Sequence, residues 1–192
     1  MITPTDEKRY TETEFWAFVE ASDLHRRHEL IRGEVFDLLG SSANHNSVVT
    51  NMATLLNQGL PETCRVFGPD IWLKSEAAEG YLCPDVSVVC PPVDFFQERT
   101  HVITNPELIV EVLSPSTADY DRGEKWGFYQ AIPSLQDYVL INQDRHQLAL
   151  YHRTGPQRWD YQLFHGPEAE VVLPSNPLSF PLGELFRRVV WE

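Results

Sequence analysis

A glutamate lies in the middle of the run Leu108-Ile109-Val110-Glu111-Val112-Leu113, and no other feature constrains the fold so sharply. The aliphatic residues on either side of it read as a strand buried on both faces, as in the centre of a sheet covered by helices. A carboxylate in that setting is costly to desolvate unless a positive group or a cation sits against it. The chain must therefore fold so that counter-charge reaches the middle of its sheet. Two readings meet this demand: an ion pair with Arg122 or Lys125, both on the segment that follows, or a bound cation.

A second apolar run, Val86-Ser87-Val88-Val89, opens on an acid, Asp85, after Pro84. Residues two apart on a strand share a face, so Asp85 aligns with Ser87, and Glu111 with Ile109 and Leu113. If the two strands are neighbours, both acids converge on one point; alone, Asp85 reads equally as a cap on a strand entrance. Hard carboxylate oxygens with water completing the shell suit Mg²⁺ or Mn²⁺, which bind through one or two protein carboxylates plus substrate phosphate. Such an ion acidifies bound water and neutralises charge on a phosphoryl group, and a nearby ammonium assists.

Along the chain, Thr11-Glu12-Thr13-Glu14 reads as a capped helix start. His28 to Leu39 reads as two short strands joined at Arg32-Gly33. Ser41, Ser42 and Asn44 precede a helical spacing at Val48, Val49, Met52, Leu55 and Leu56, ended by Gly59 and Pro61. Thr63 to Lys74 is a strand interrupted near Gly68-Pro69, and Tyr81 to Cys90 is the next strand. The run from Pro91 to Asn105 has no clear period and is long for a connection. After the Glu111 strand, Ser116 or Thr117 caps a helix running to about Ala131, which Pro133 ends. Asp137–Asn142 and Gln147–His152 form a hairpin. Arg158–Phe164 and Glu170–Leu173 are further strands, and the C-terminal LGELFRRVVWE is a short helix or a turn into an edge strand. The whole is a mixed sheet with about three helices, α/β or α+β, expected as a single domain over residues 1–192.

Composition removes several function classes. No apolar stretch approaches the roughly 18 residues of a membrane helix, and the polar N-terminus reads as neither signal nor transit peptide. Three cysteines, Cys64, Cys83 and Cys90, form no CxxC and are expected as reduced core thiols of a cytoplasmic protein. No GxSxG, P-loop or GxGxxG is present. His25-Arg26-Arg27-His28 lacks the companions of a zinc site. The aromatic residues show no stacking array. The net charge of −13 opposes sequence-independent DNA binding, though not an enzyme that meets phosphate through a metal and a small basic patch.

Pro84-Asp85, Glu111-Val112-Leu113, Ser114-Pro115-Ser116-Thr117 and Asp121-Arg122-Gly123-Glu124-Lys125 together resemble the Uma-type restriction endonucleases, within the PD-(D/E)XK nuclease superfamily. The resemblance runs from HELIRGE to the Asp137–His152 hairpin. Pro69-Asp70 is a second Pro-Asp, rejected by its place in the order. The resemblance implies a restriction-endonuclease-like core with Asp85 and Glu111 as metal ligands and the Val112 carbonyl as a further one. The superfamily pattern wants lysine two residues after the glutamate, where this chain has Leu113; in Uma-type proteins its place is taken from the next helix, here by Lys125. Glu34 and His45 also occupy positions typical of the family, Glu34 in place of an N-terminal acid. On residue chemistry alone, Glu34 fits a surface strand and His45 a helix start equally well.

The expected function is a Mg²⁺- or Mn²⁺-dependent phosphodiester hydrolase, a DNA endonuclease working as a homodimer. Asp85, Glu111, Lys125, Glu34 and His45 would form its site, with Arg122 and Lys125, and Arg26-Arg27 or Arg187-Arg188, at the phosphates. The alternative is a catalytically inactive descendant that keeps the fold as a protein- or nucleic-acid-binding module.

Overall fold

Left-handed backbone at Arg32 (φ 48°) and Gly33 (φ 82°) closes the expected hairpin between β1 (Arg27–Ile31) and β2 (Glu34–Leu38). Two such residues in a row match the twist of the strands they join. The computed structural model describes residues 4–22, 27–38, 42–115, 117–176 and 178–191. Ahead of the hairpin, α1 (Glu12–Ala21) begins on a capping box. The Thr11 hydroxyl accepts from the Glu14 N–H, and the Glu14 carboxylate accepts from the Thr11 N–H. Ser42 caps α2 (Ala43–Gly59) by accepting from the His45 N–H at 3.1 Å. Of the other cap candidates, Ser41 and Ser116 lie outside the described residues, and Thr117 stands at the head of its helix without a side-chain cap hydrogen bond among the described residues.

The strands form two main sheets. One runs β2–β1–β5–β4–β7, adding β5 (Gly80–Leu82), β4 (Trp72–Ser75) and β7 (Val102–Ile103) to the hairpin. The other runs β11 (Arg158–His165), β10 (Gln147–Gly155), β9 (Asp137–Asn142), β8 (Leu108–Leu113), β6 (Val86–Val89), β3 (Arg65–Phe67). Its β8–β9 pair is parallel and the others antiparallel, so the architecture is mixed α/β as expected. No helix among the described residues is long and apolar enough to cross a membrane.

Several expectations change. The segment Tyr81–Cys90 is not one strand: β5 belongs to the first sheet and β6 to the second, with Cys83-Pro84-Asp85 crossing between them. Proline lacks the N–H a ladder needs and restricts the residue before it, so the pairing breaks there and places Asp85 at the seam. The helix expected to run to about Ala131 is present over 118–129 but not as regular α: an α turn, α3 (Ala118–Tyr120), passes through a π turn over Asp121–Lys125 into α4 (Trp126–Tyr129). The Pro91–Asn105 segment, read as a long connection without a clear period, carries a 3₁₀ turn at Phe96–Glu98 and strand β7, parallel to β4. A further hairpin pairs β12 (Glu170–Leu173) with β13 (Leu178–Pro181), and the C-terminal segment makes a 3₁₀ turn at Leu182–Phe186. Cys64 and Cys90 are not thiols but a disulfide joining the ends of β3 and β6; Cys83 alone is free and buried. Their adjacency across the β3–β6 register brings them together, which spacing along the chain does not reveal.

Apolar residues alternate along β8. Val110 and Val112 pack on one face with Val48, Met52 and Leu56 of α2, while Ile109 and Leu113 pack on the other with Tyr129 and Tyr138. Fully burying each such side chain contributes about 1.5–3 kcal/mol. Glu111, between Val110 and Val112, is thereby turned toward the helical segment that carries Lys125. On the outer face of the first sheet, Phe15 and Trp16 of α1 cover Leu30 and Tyr81. At Gly80 an added Cβ would stand 1.9 Å from the Leu30 carbonyl oxygen, so β1 and β5 approach this closely only because that residue is glycine.

Candidate active site

Glu111 is 3% exposed, and its Oε1 takes two partners from the same helical segment: Lys125 Nζ at 2.8 Å and the Tyr129 hydroxyl, which donates at 2.7 Å. Lys125 is equally buried. Its ammonium also lies 3.1 Å from Glu29 Oε1 and 3.8 Å from Asp121 Oδ1. Asp121, Lys125 and Tyr129 are spaced four apart, which puts them on one helical face, and the π turn between Asp121 and Lys125 widens that turn over the sheet.

Asp85 sits at the entrance to β6, where the ladder with β8 ends. The last paired residues are Val86 and Val110, so the Val112 N–H has no strand partner on that edge. Asp85 Oδ2 accepts it at 2.8 Å and lies 3.2 Å from His45 Nε2 in the first turn of α2. Asp85 Oδ1 is 3.7 Å from Arg27 Nη1, a buried guanidinium nitrogen with no hydrogen-bond partner among the described residues. Because a strand residue sends its N–H and C=O to the same edge, the Val112 carbonyl leaves β8 beside Asp85.

Sequence reasoning missed Glu29, which is fully buried. Its Oε1 accepts from the Cys83 N–H at 2.9 Å as well as pairing with Lys125, and its Oε2 accepts from the Tyr120 hydroxyl at 2.9 Å. The signal was legible: Glu29 precedes Leu30-Ile31 and shares the inward face of β1 with Arg27 and Ile31, a second acid embedded among apolar residues. Asp121, 3% exposed, was likewise overlooked as a member of the site.

Three buried carboxyl groups, those of Glu29, Glu111 and Asp121, thus surround one buried ammonium, and a fourth, Asp85, lies against His45 and Arg27; fully ionised, the four outnumber the Lys125 and Arg27 charges. The environment divides them. Burial pushes the Glu111 carboxyl up to about 8, with Asp85 and Asp121 adding to the rise and Lys125 opposing it. Burial likewise raises Asp121 to about 6 against the pull of Lys125. Burial also acts to raise Asp85, but the His45 ring, the Val112 N–H and Lys125 outweigh it and hold that group below its ordinary value. The three carboxylates beside Lys125 more than offset its burial and keep it protonated well above neutrality. Neighbouring acids with pKa values driven apart characterise sites that move protons or hold cations.

The structure brings together Asp85, Glu111, Val112, Lys125 and His45 as expected, but not Glu34. That carboxylate sits at the hairpin end of β2, partly exposed, with Arg9 Nη2 at 2.9 Å. The N-terminal acid at the cluster is Glu29 instead, because strand alternation carries it inward well away from the turn. Arg27 reaches the site. Arg26 and His25 lie outside the described residues, and Arg187 is exposed and paired with Glu184. Among the described residues, no group of three or more His, Cys, Asp or Glu side chains is preassembled as a metal shell. A hard divalent cation that keeps several waters needs only one or two carboxylates, so Asp85 and Glu111 fit it, the cation taking the place of the proton that Glu111 holds near neutral pH.

A family model described as "Uma2: Putative restriction endonuclease" matches residues 16–182. The chain is 36% identical over 146 residues to the uncharacterized protein sll1609 of Synechocystis sp., covering 76% of this chain and 82% of that protein. It is 35% identical over 162 residues to slr1290 of the same organism, covering 84% of each. The fold is similar to the crystal structure of "a putative nuclease belonging to DUF820" from Anabaena variabilis. The TM-score is 0.73 over 93% of this chain and 98% of that one, and at 19% identity the likeness is one of fold.

Proposed function

This chain belongs to the Uma2 family, and on that premise we propose that it is a Mg²⁺- or Mn²⁺-dependent phosphodiester hydrolase, a single-domain DNA endonuclease. The observation that carries the reading is the excess of buried carboxyl groups around Lys125, at the seam where Pro84 ends one ladder and Asp85 takes up the orphaned Val112 N–H. Structural ion pairing alone does not call for acids in excess, since each buried carboxylate without a counter-charge destabilises the fold.

Asp85, Glu111 and the Val112 carbonyl would hold the cation. When bound, it would acidify water and offset charge on the phosphoryl oxygens. In hydrolysis a water oxygen forms a bond to phosphorus, the bond to the leaving 3′ or 5′ oxygen breaks, and that oxygen gains a proton. Lys125 supplies a fixed positive charge for the phosphoryl oxygens, held in place by Glu29 and Asp121 so that little reorganises during the reaction. The Arg27 guanidinium, paired with Asp85 at 3.7 Å on the rim of the cluster, is suited to a phosphate oxygen. His45 keeps Asp85 ionised and oriented, and the Tyr129 hydroxyl orients one oxygen of Glu111. Cutting both strands of a duplex requires two such sites, which a homodimer supplies. A cytoplasmic location is part of the same proposal; there the thiol pool would act to reduce Cys64–Cys90.

The test is cleavage of plasmid and single-stranded DNA with Mn²⁺ by the wild type and by Glu111→Gln. Cleavage is expected only in the wild type; equal cleavage by both removes Glu111 from the chemistry. The inactive binding module is the competing reading, favoured by the internal saturation of Lys125 and the acidic net charge. Calorimetric titration with Mn²⁺ separates the two, because heat abolished by Asp85→Ala supports the metal site and no heat in either protein supports the module.

A further inference from the structure

Strand register sets out a path across the sheet face that starts at Glu111. Glu111 lies opposite Leu140 on β9, Leu140 opposite Ala149 on β10, and Ala149 opposite Leu163 on β11. This row of modest aliphatic side chains runs from the candidate site to the sheet edge. On one flank, in the next row, Tyr138, Tyr151 and Tyr161 are opposite one another; Trp126 packs on the first two, and Tyr161, its ring 5.1 Å from that of Tyr151, is the one that lines the hollow. The other flank is polar, with Asn142 beside Leu113 and Gln147 on β10. Arg122, exposed on the π turn three residues before Lys125, stands over the same hollow. Tyr161 is 55% exposed although it lies in the middle of a strand.

Each wall has a definite chemistry. An exposed aromatic ring offers a stacking surface to any base, and carboxamides offer both donors and acceptors to a base edge. A guanidinium meets phosphate through paired N–H groups. A base can lie on a side chain only after leaving its own stack, as in recognition of single strands. We propose that this trough seats an unpaired nucleobase of the substrate strand, stacked on Tyr161, with Arg122 on an adjacent phosphate. The proposal rests on the hydrolase reading and narrows it: the strand that reaches Glu111 is single or locally opened.

The purely structural explanation is that Tyr151 and Tyr161 stabilise an antiparallel edge as a cross-strand pair. It predicts that loss of Tyr161 lowers stability and leaves nucleic-acid binding alone. The two are separated by fluorescence anisotropy of the full chain in EDTA, with labelled oligothymidylate of about 12 nucleotides, long enough for a typical single-strand site. An abasic strand of the same length and a blunt duplex serve as comparisons. The wild type should prefer oligothymidylate to both. Tyr161→Ala should bind it roughly 5- to 150-fold more weakly and lose the preference over the abasic strand, while Tyr161→Phe keeps both. Arg122→Ala should weaken all strands and flatten the salt dependence by about 0.7 in the logarithmic slope.

A wild type that binds no strand, or binds the abasic strand equally, overturns the proposal, as does unchanged binding by Tyr161→Ala. Cleavage with Mn²⁺ on the same preparations keeps the two claims apart. Cutting by a wild type whose binding ignores Tyr161 sinks the base seat alone. Tyr161-dependent binding without cutting sinks hydrolysis alone.

Discussion

Replacing Lys125 by methionine removes the one buried ammonium while nearly keeping its shape. The three carboxyl groups it now serves, Glu111 at 2.8 Å, Glu29 at 3.1 Å and Asp121 at 3.8 Å, would then face one another in a site closed to water. Removing one partner of a buried pair destabilises by about 3–5 kcal/mol, because the other charge stays behind. With a urea m value near 2 kcal/mol/M, the unfolding midpoint should fall by about 2 M near pH 8. The loss should also depend on pH, and the sign follows from the raised carboxyl groups. Folded Glu111 titrates at about 8 and Asp121 at about 6, both above the ordinary carboxyl range. Between the ordinary and the raised values the folded state holds protons that the unfolded chain has released, so stability falls as pH rises. Lys125 moderates that fall by lowering both groups. Without it the decline steepens, and the gap between the two proteins should be narrow near pH 5 and wide near pH 8. Urea titrations followed by tryptophan fluorescence at the two pH values measure it. A loss below about 1 kcal/mol, the scale of an exposed pair, or one equal at both pH values would refute Lys125 as the counter-charge of this site.

Glu29→Gln should abolish metal-dependent cleavage and Glu34→Ala should leave it within twofold, since only the first carboxylate touches Lys125; the reverse result in a plasmid assay would restore the hairpin acid to the site. Asp137, fully buried, is held by His152 Nδ1 at 2.7 Å and by the Ser175 hydroxyl and backbone N–H. Asp137→Ala strands those partners and should cost about 1–3 kcal/mol in urea unfolding, with midpoints unchanged if the clip contributes nothing. The oxidised chain should show one free thiol after denaturation and three after reduction. Closing a loop of 26 residues should make it about 3.5 kcal/mol more stable than the reduced chain, and three thiols from the start would rule out the Cys64–Cys90 bridge.

Much of the site was written in local sequence. Glu111 announces itself because a charge among branched aliphatic residues has no cheap resting place. Lys125 is one helical segment away, and the Thr11 cap and the Arg32-Gly33 turn follow from side-chain chemistry within a few residues. The misreadings have a common origin. Tyr81–Cys90 has the composition of one strand and folds as two, since Pro84 diverts the chain from one sheet to the other. Glu34 sits at the hairpin end of β2 against Arg9, while Glu29, on the inward face of β1, meets Lys125. The row of tyrosines leaves no trace along the chain, because its members come from three strands and meet only through register.

The amino-acid order alone determined which residues needed a partner: acids embedded in apolar runs, whose desolvation the fold had to repay with positive charge. Which partners they received was decided by tertiary structure. The pairing of β6 with β8, the inward face of β1 and the π turn before Trp126 brought Asp85, Glu29, Asp121 and Lys125 around Glu111. Short-range propensities act over a few residues, whereas this cluster joins groups from Glu29 to Lys125 whose proximity exists only once two sheets and a helix have packed.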